Sequence, residues 1–279
     1  MTGWWSKSWP VMAWYATVAV GLIFTIAPFM WAVAGSFKDN PQIFSEVSPF
    51  SLMAFVPGTD PSAYFAIFQN NFGRAVANTV FVSVISLAAG IIVNSLAGFA
   101  FARFAFPGDR ILFAFVLLTF AVPPEAIAIP LFSMMRQIGW FDSFWALIIP
   151  GIANGLVIFL YRQFFAGIPK ELIEAARVDG LSWWHIYWTI CMPLAKPVTI
   201  GAGLLLFVFQ WESFLWPLIA APSPELHLIQ VALARFATEF SVIWNQQFAA
   251  STIAGVLPLI FIFLFQRQFV SALTGVDLK

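Results

Sequence analysis

From Val11 to Ala34 the chain runs for 24 residues without one charged side chain. A bilayer's hydrocarbon core asks a helix for about 20 mainly apolar residues, because no water is there to satisfy an open backbone. Five further stretches read as spans on the same ground: Asn78–Phe104, Ile111–Met135, Ser143–Phe165, Pro197–Ala221 and Ala250–Leu273. Charged residues are 9% of the chain, against about 25% in an ordinary soluble domain. The pattern predicts an all-α membrane protein with six transmembrane helices. The alternating segments of a membrane β-barrel are missing from it. The first run ends in an Ala-Val-Ala-Gly sequence like a signal-cleavage site, but it is longer than the apolar core of a signal peptide, about 7–15 residues, and reads as a retained span.

Residues 1–279 read as a single transmembrane domain, since no linker, low-complexity segment or repeat divides them. A net charge of zero argues against nucleic acid as a partner. The single Cys191 has no partner for an internal disulfide and reads as a small buried hydrophobe. Six spans place both termini on one side. Cytoplasmic termini put Lys7, Arg103, Arg110, Arg162, Lys170, Arg177, Lys196, Arg267 and Lys279 inside, and Lys38, Arg74, Arg136 and Arg235 outside. Nine against four favours that orientation under the positive-inside rule. Trp140, Trp145, Trp216 and Trp244 fall near span ends, where indole rings settle.

That topology leaves residues 167–196 as the longest cytoplasmic loop. It contains ELIEAARVDG, a water-loving stretch with three acids and one arginine in a greasy chain. Pro169 suits a helix start, and Glu171 and Glu174 suit its positive end. Leu172, Ala175, Ala176 and Asp179 recur three or four apart, a narrow stripe with small residues at its centre. Gly180 stops the helix. Ser182 caps a second helix, Trp183 to Ile190, which Pro193 ends. The result is a short helix–turn–helix on the inner face: either an interfacial amphipathic element or a docking site whose alanines let a partner approach closely.

The spacing Glu174-Ala175-Ala176, three residues, Gly180, nine residues, Ile190, one residue, Met192-Pro193 resembles the EAA loop of ATP-binding-cassette importer permeases, E-A-A-x3-G-x9-I-x-L-P. Only Met192 in place of Leu departs, and that swap keeps volume. PPEAIAIPLF (123–132), YRQFFAGIPKELIEAARVDG (161–180), FLWPLI (214–219) and FQRQFVSALTGVDLK (265–279) extend the likeness to the maltose-type carbohydrate permeases. The resemblance implies the type I importer permease fold in a bacterial cytoplasmic membrane. It implies two cytosolic ATPase subunits, a second permease and an extracytoplasmic substrate-binding protein as partners. Residues 169–193 would then couple this chain to the ATPase. Glu171, Glu174, Arg177 and Asp179 would supply polar contacts, Ala175 and Ala176 close approach, and Gly180 the turn. No G-x-x-x-x-G-K-[ST] phosphate loop occurs, so ATP and Mg would belong to the partner ATPase and no cofactor to this chain.

Acids at membrane depth cost at least about 2.5–3.5 kcal/mol and mark functional candidates. Glu125 follows Pro123-Pro124; it either satisfies backbone donors at that kink, which Pro130 is expected to repeat, or lines a translocation path. Glu212 lies in Trp211-Glu212-Ser213-Phe214, where the family shows Trp-Asn-acid-Phe. The acid is displaced by one position, so its role does not carry over. Beside Gln210 and Trp211 it could face a hydroxyl-rich substrate, or it makes a polar contact between subunits. Asn94 and Asn154 are further polar candidates. His185 and His227 lie far apart in sequence and suggest no metal, and no catalytic constellation is present. A rival reading is an ion-coupled secondary transporter using Glu125 and Glu212. The tail from Thr274 to Lys279 resembles one that reaches an ATPase interface, or is a disordered cytosolic end.

Overall fold

The computed structural model describes residues 5–237 and 242–274, with side chains from 11 to 237 and from 242 to 266. The side chains of Lys7 and Arg267 and the tail 275–279 lie outside the described residues. Among the described residues all regular structure is helical, apart from one isolated bridge between Ala237 and Val242. By its contacts the chain falls into two compact units, 1–73 with 232–256, and 74–231 with 257–279.

The first unit contains α1 (Trp5–Gly35), α2 (Asn40–Ser45), a single 3-10 turn (Leu52–Phe55) and α3 (Ser62–Gln69). Lys38 is 3% exposed and reaches Glu46 at 2.5 Å and the Met53 carbonyl at 2.7 Å. Hydrogen bonds from Lys38 and Gln42 hold the Glu46 carboxyl below the usual carboxylate range.

The second unit runs through α4 (Phe72–Arg103), α5 (Asp109–Ala121), α6 (Pro124–Gln137), α7 (Phe144–Ile152), α8 (Gly155–Gly167), α9 (Lys170–Val178), α10 (Trp183–Ile186), α11 (Met192–Leu194), α12 (Lys196–Trp211), α13 (Leu215–Ala220) and α14 (Ile229–Ala234), and the chain closes with α15 (Trp244–Thr274). The α4, α14 and α15 ranges cross a unit boundary. Among the described residues three helices are long and apolar enough to cross a bilayer: Val11–Gly35, Phe72–Arg103 and Trp244–Gln266. Three more candidates are pairs bent at a short break, giving up to six if each pair is one span.

The breaks are where sequence and structure part. Ile111–Met135 is two helices, α5 and α6, set at 105°. The residue before a proline is pushed out of helical geometry; Val122, at φ −87° and ψ 120°, precedes Pro123-Pro124 and ends α5. Pro130 does not repeat the break: α6 runs through it, giving up one backbone hydrogen bond while the turns on either side hold. The α7–α8 pair bends by 40° around Ala153 and Asn154, both extended. A broken helix inside a bilayer frees backbone groups that water cannot reach. Asn94, fully buried on α4, meets them: its amide donates to the Ile152 carbonyl at 2.8 Å, and its side-chain oxygen accepts from the Asn154 N–H at 2.8 Å. Asn154 in turn caps α8 by accepting from the Val157 N–H. These two asparagines therefore serve the break. Gly155, just beyond it, lets α8 close on α5: a Cβ there would stand 2.4 Å from the Val116 carbonyl oxygen.

The second helix of the predicted hairpin also differs. Helical structure continues from Trp183 to Leu194, with a π-turn over Tyr187–Cys191. The Met192 N–H reaches back to the Tyr187 carbonyl, so Pro193 is accommodated in the wider turn and does not stop the helix. The stop comes at Ala195, where the path turns by 81° into α12. Pro197–Ala221 is likewise interrupted, at Glu212–Phe214, between α12 and α13.

Replacing Asn94 by Leu strands the Ile152 carbonyl and the Asn154 N–H. The expected cost is about 1–3 kcal/mol per unsatisfied buried group, read as a lower midpoint in thermal unfolding of the protein in lipid nanodiscs.

Candidate coupling hairpin and pathway residues

The hairpin is built from its turn outward. After α9, Gly180 takes φ +83°, which L side chains rarely adopt. With that turn, the Leu181 N–H reaches the Ala176 carbonyl at 3.0 Å and the Gly180 N–H reaches the Arg177 carbonyl at 3.1 Å, satisfying the orphan end of α9. Arg177 clasps the turn from outside: its guanidinium donates to the Leu181 carbonyl at 2.8 Å and lies 5.2 Å from the Trp183 ring centroid. Ser182 caps α10 by accepting from the His185 N–H, and its hydroxyl lies 2.9 Å from His185 Nδ1.

The predicted stripe on α9 divides between two faces. Ala176 and Ile173 are buried, whereas Leu172, Ala175 and Asp179 are exposed. Neighbouring residues differ by about 100° around a helix, so Ala175 and Ala176 cannot both point one way. Ile173, three residues before Ala176, carries the larger apolar surface and sets which face turns inward. Glu171, Glu174 and Arg177 stand on the exposed side, joined by Val178, the most exposed of the large apolar residues at 87%. Sequence reasoning passed over Leu172 and Val178 as outward groups; the pairing of Ile173 with Ala176 would have assigned them there.

The buried face enters one apolar cluster with Phe99, Tyr161, Phe165, Ile168, Ile186, Tyr187 and Cys191. Two polar contacts tie it to α4. Arg103 donates to the Phe165 and Ile168 carbonyls at the end of α8. Ser95 and Tyr187 share a hydrogen bond of 2.6 Å between hydroxyls. Neither was foreseen from the sequence, because partners 62 and 92 residues apart leave no periodic trace. The outcome is a rigid foot with a charged, exposed upper helix.

The four pathway candidates are placed less uniformly. Glu125 is exposed in the first turn of α6, just past the elbow with α5. Glu212 is exposed as the C-cap of α12, its N–H bonded to the Val208 carbonyl at 3.0 Å. Trp211 is only 4% exposed, its ring tilted against Phe207 with centroids 5.4 Å apart, and its carbonyl accepts from Gln230. Gln210 is half-buried. The ring therefore packs inward while the two carboxylates stay open. Gln230 comes from α14, too remote in sequence to be singled out. His185 and His227 bond locally, and among the described residues no group of three potential ligands could hold a metal.

An all-helical chain with broken apolar pairs and a charged hairpin on a buried foot defines a polytopic transport subunit. The chain belongs to the family of binding-protein-dependent transport system inner membrane components, whose model matches residues 90–274. It is similar to the lactose transport system permease protein LacG of Rhizobium radiobacter, 30% identical over 95% of this chain and 96% of the relative. The arabinooligosaccharides transport system permease protein AraQ of Halalkalibacterium halodurans is 28% identical over 96% of this chain and 97% of its own length. The fold matches a bacterial ABC transporter that imports the acidic polysaccharide alginate, with a TM-score of 0.80 and 21% identity over 96% of this chain and 99% of that one. A second structure of the alginate transporter, in complex with an alginate pentasaccharide-bound periplasmic protein, gives a TM-score of 0.66 and 18% identity over 95% and 96% of the two chains. As a permease subunit this chain is a multi-pass membrane protein and a non-catalytic component of an ABC transporter. Family membership displaces the ion-coupled secondary transporter.

Gly180→Ala should strain the turn by about 1–2 kcal/mol, whereas Gly180→Asn should cost less because Asn visits this conformation. Hydrogen exchange at the Gly180 and Leu181 amides should accelerate in the order Gly, Asn, Ala.

Proposed function

We propose that this chain forms half of the translocation pathway of a bacterial, binding-protein-dependent importer of a carbohydrate or a related sugar conjugate. Its hairpin, residues 169–193, couples to a separate ATPase, and a second permease completes the path. Six spans with cytoplasmic termini accommodate the nine-to-four distribution of lysine and arginine. They place α9 in the cytoplasm and the extracytoplasmic binding protein at the opposite face. The relatives named above transport lactose and arabinooligosaccharides, and this supports a hydroxyl-rich substrate.

One observation carries the proposal: α9 is exposed and charged above, yet seated below in a cluster shared with α4, α8 and α12. Such an element can take work from a soluble motor and pass it to membrane helices. ATP and Mg belong to the motor, since this chain has no phosphate loop. Loaded receptor outside and nucleotide inside each favour the outward-facing state; hydrolysis returns the pathway inward.

Glu174 is the exposed acid at the head of the EAA run. In the purified complex, Glu174→Lys should abolish substrate-stimulated ATP hydrolysis and weaken co-purification of the ATPase; survival of both unchanged would remove the coupling role.

Glu125 and Glu212 are assigned to the pathway as acceptors for substrate hydroxyls, with Gln210 beside Glu212; Trp211 supports this segment by packing. Glu212→Gln should raise the substrate concentration giving half-maximal ATPase stimulation about tenfold, the loss of one charge-assisted hydrogen bond of about 1.5 kcal/mol or more. An unchanged substrate curve would take Glu212 out of the path.

A further inference from the structure

The two helices of the hairpin present opposite chemistries. Within Lys170–Gly180, five charged residues are exposed. From Trp184 to Leu194 no Asp, Glu, Lys or Arg occurs, yet Trp184 is 58% exposed, Trp188 41% and Leu194 47%. The other side of this segment is spoken for: Ile186, Tyr187 and Cys191 are buried in the cluster of Phe99 and Phe165. Trp184 and Trp188 pack edge to face with centroids 5.7 Å apart, and both rest on Tyr187. They form a preset aromatic ledge, and His185 and Thr189, the residues that follow each of them, are also exposed.

The direction of the ledge follows from the 81° turn at Ala195. With α12 read as a membrane span, Trp183–Leu194 lies close to the membrane plane. The ledge stands just before the point where the chain enters the bilayer. Indole has an apolar body and an N–H donor, which is why tryptophan gathers at the headgroup level. Neither of the two indole N–H groups donates within the described residues, leaving both for headgroup carbonyls and phosphates. Met192 and Pro193, further along the same helical segment, line a cleft of about 420 Å³ with Lys196, Thr199, Ile200 and Phe265. A mainly apolar cleft with a lysine in its lining fits an acyl chain and a phosphate.

We propose that Trp184 and Trp188 are an interfacial anchor: the hairpin's second helix rests on the headgroup region of the cytoplasmic leaflet, while α9 faces water and the motor. The inference rests on the orientation given under the proposed function. It adds that lipid, and not protein, covers this face. A lever held on a lipid surface keeps its angle to α12 when α9 is pushed.

The test uses the complete transporter in nanodiscs, with Cys191→Ala and bimane attached singly at Trp184→Cys, Trp188→Cys or Leu172→Cys. Emission at 184 and 188 should be lost to phosphatidylcholine carrying a nitroxide near its headgroup and spared by aqueous iodide. Quenching at 184 and 188 by iodide alone, or shielding from both quenchers, overturns the anchor, the second outcome indicating a protein cover. Lipid quenching at Leu172 would instead overturn the orientation on which the proposal rests. Should the cysteine variants fail to assemble, Trp184→Phe with Trp188→Phe keeps the packing. Quenching of native tryptophan emission by brominated lipid should then fall relative to the unsubstituted transporter, and an unchanged fraction overturns the proposal.

Discussion

In the proposed coupling, work applied to α9 would reach the membrane helices only while Ile173 and Ala176 stay seated in the cluster of Phe99, Phe165 and Tyr187. Everything else in the hairpin depends on that burial. Removing most of a buried isoleucine costs about 2–5 kcal/mol, whereas an exposed ion pair on the outer face contributes about 0–1 kcal/mol. The apolar underside therefore fixes the position of α9, and its charges are left free to choose a partner. Arg177 is the exception, because its guanidinium is already engaged by the Leu181 carbonyl and the Trp183 ring. It shapes the turn that a partner would meet.

The same economy governs the broken helices. A bilayer tolerates an open backbone only where protein supplies the missing hydrogen bonds. Asn94 does so for the α7–α8 break, and the Glu212–Phe214 break is held at its start by Gln230 on the Trp211 carbonyl. The polar residues expected at membrane depth thus divide into two groups. Asn94 and Asn154 are consumed by the backbone, while Glu125 and Glu212 remain exposed and available for chemistry.

Much of this was legible in the sequence, because the bilayer imposes length and polarity rules that act locally. The apolar runs marked α1, α4 and α15, the proline pair marked the α5–α6 elbow, and Gly180 marked the turn. The angles were not legible: hydropathy is the same for a straight span and for one bent by 105°. Nor were contacts such as Arg103 with Phe165 or Ser95 with Tyr187, which join positions far apart in the chain. On α9 periodicity merged two faces into one stripe, since Ala176 is buried while Leu172, Ala175 and Asp179 are exposed. The register was decided by Ile173, a residue outside the motif.

The account stands on α9 being a cytosolic surface that a motor covers. Ala175→Cys is exposed and small, so a membrane-impermeant maleimide can read its side of the membrane directly. The account predicts labelling in inside-out vesicles, none in right-side-out vesicles, and protection when the ATPase is bound. Labelling from the outside, or cytosolic labelling that the assembled ATPase leaves unaltered, would contradict it.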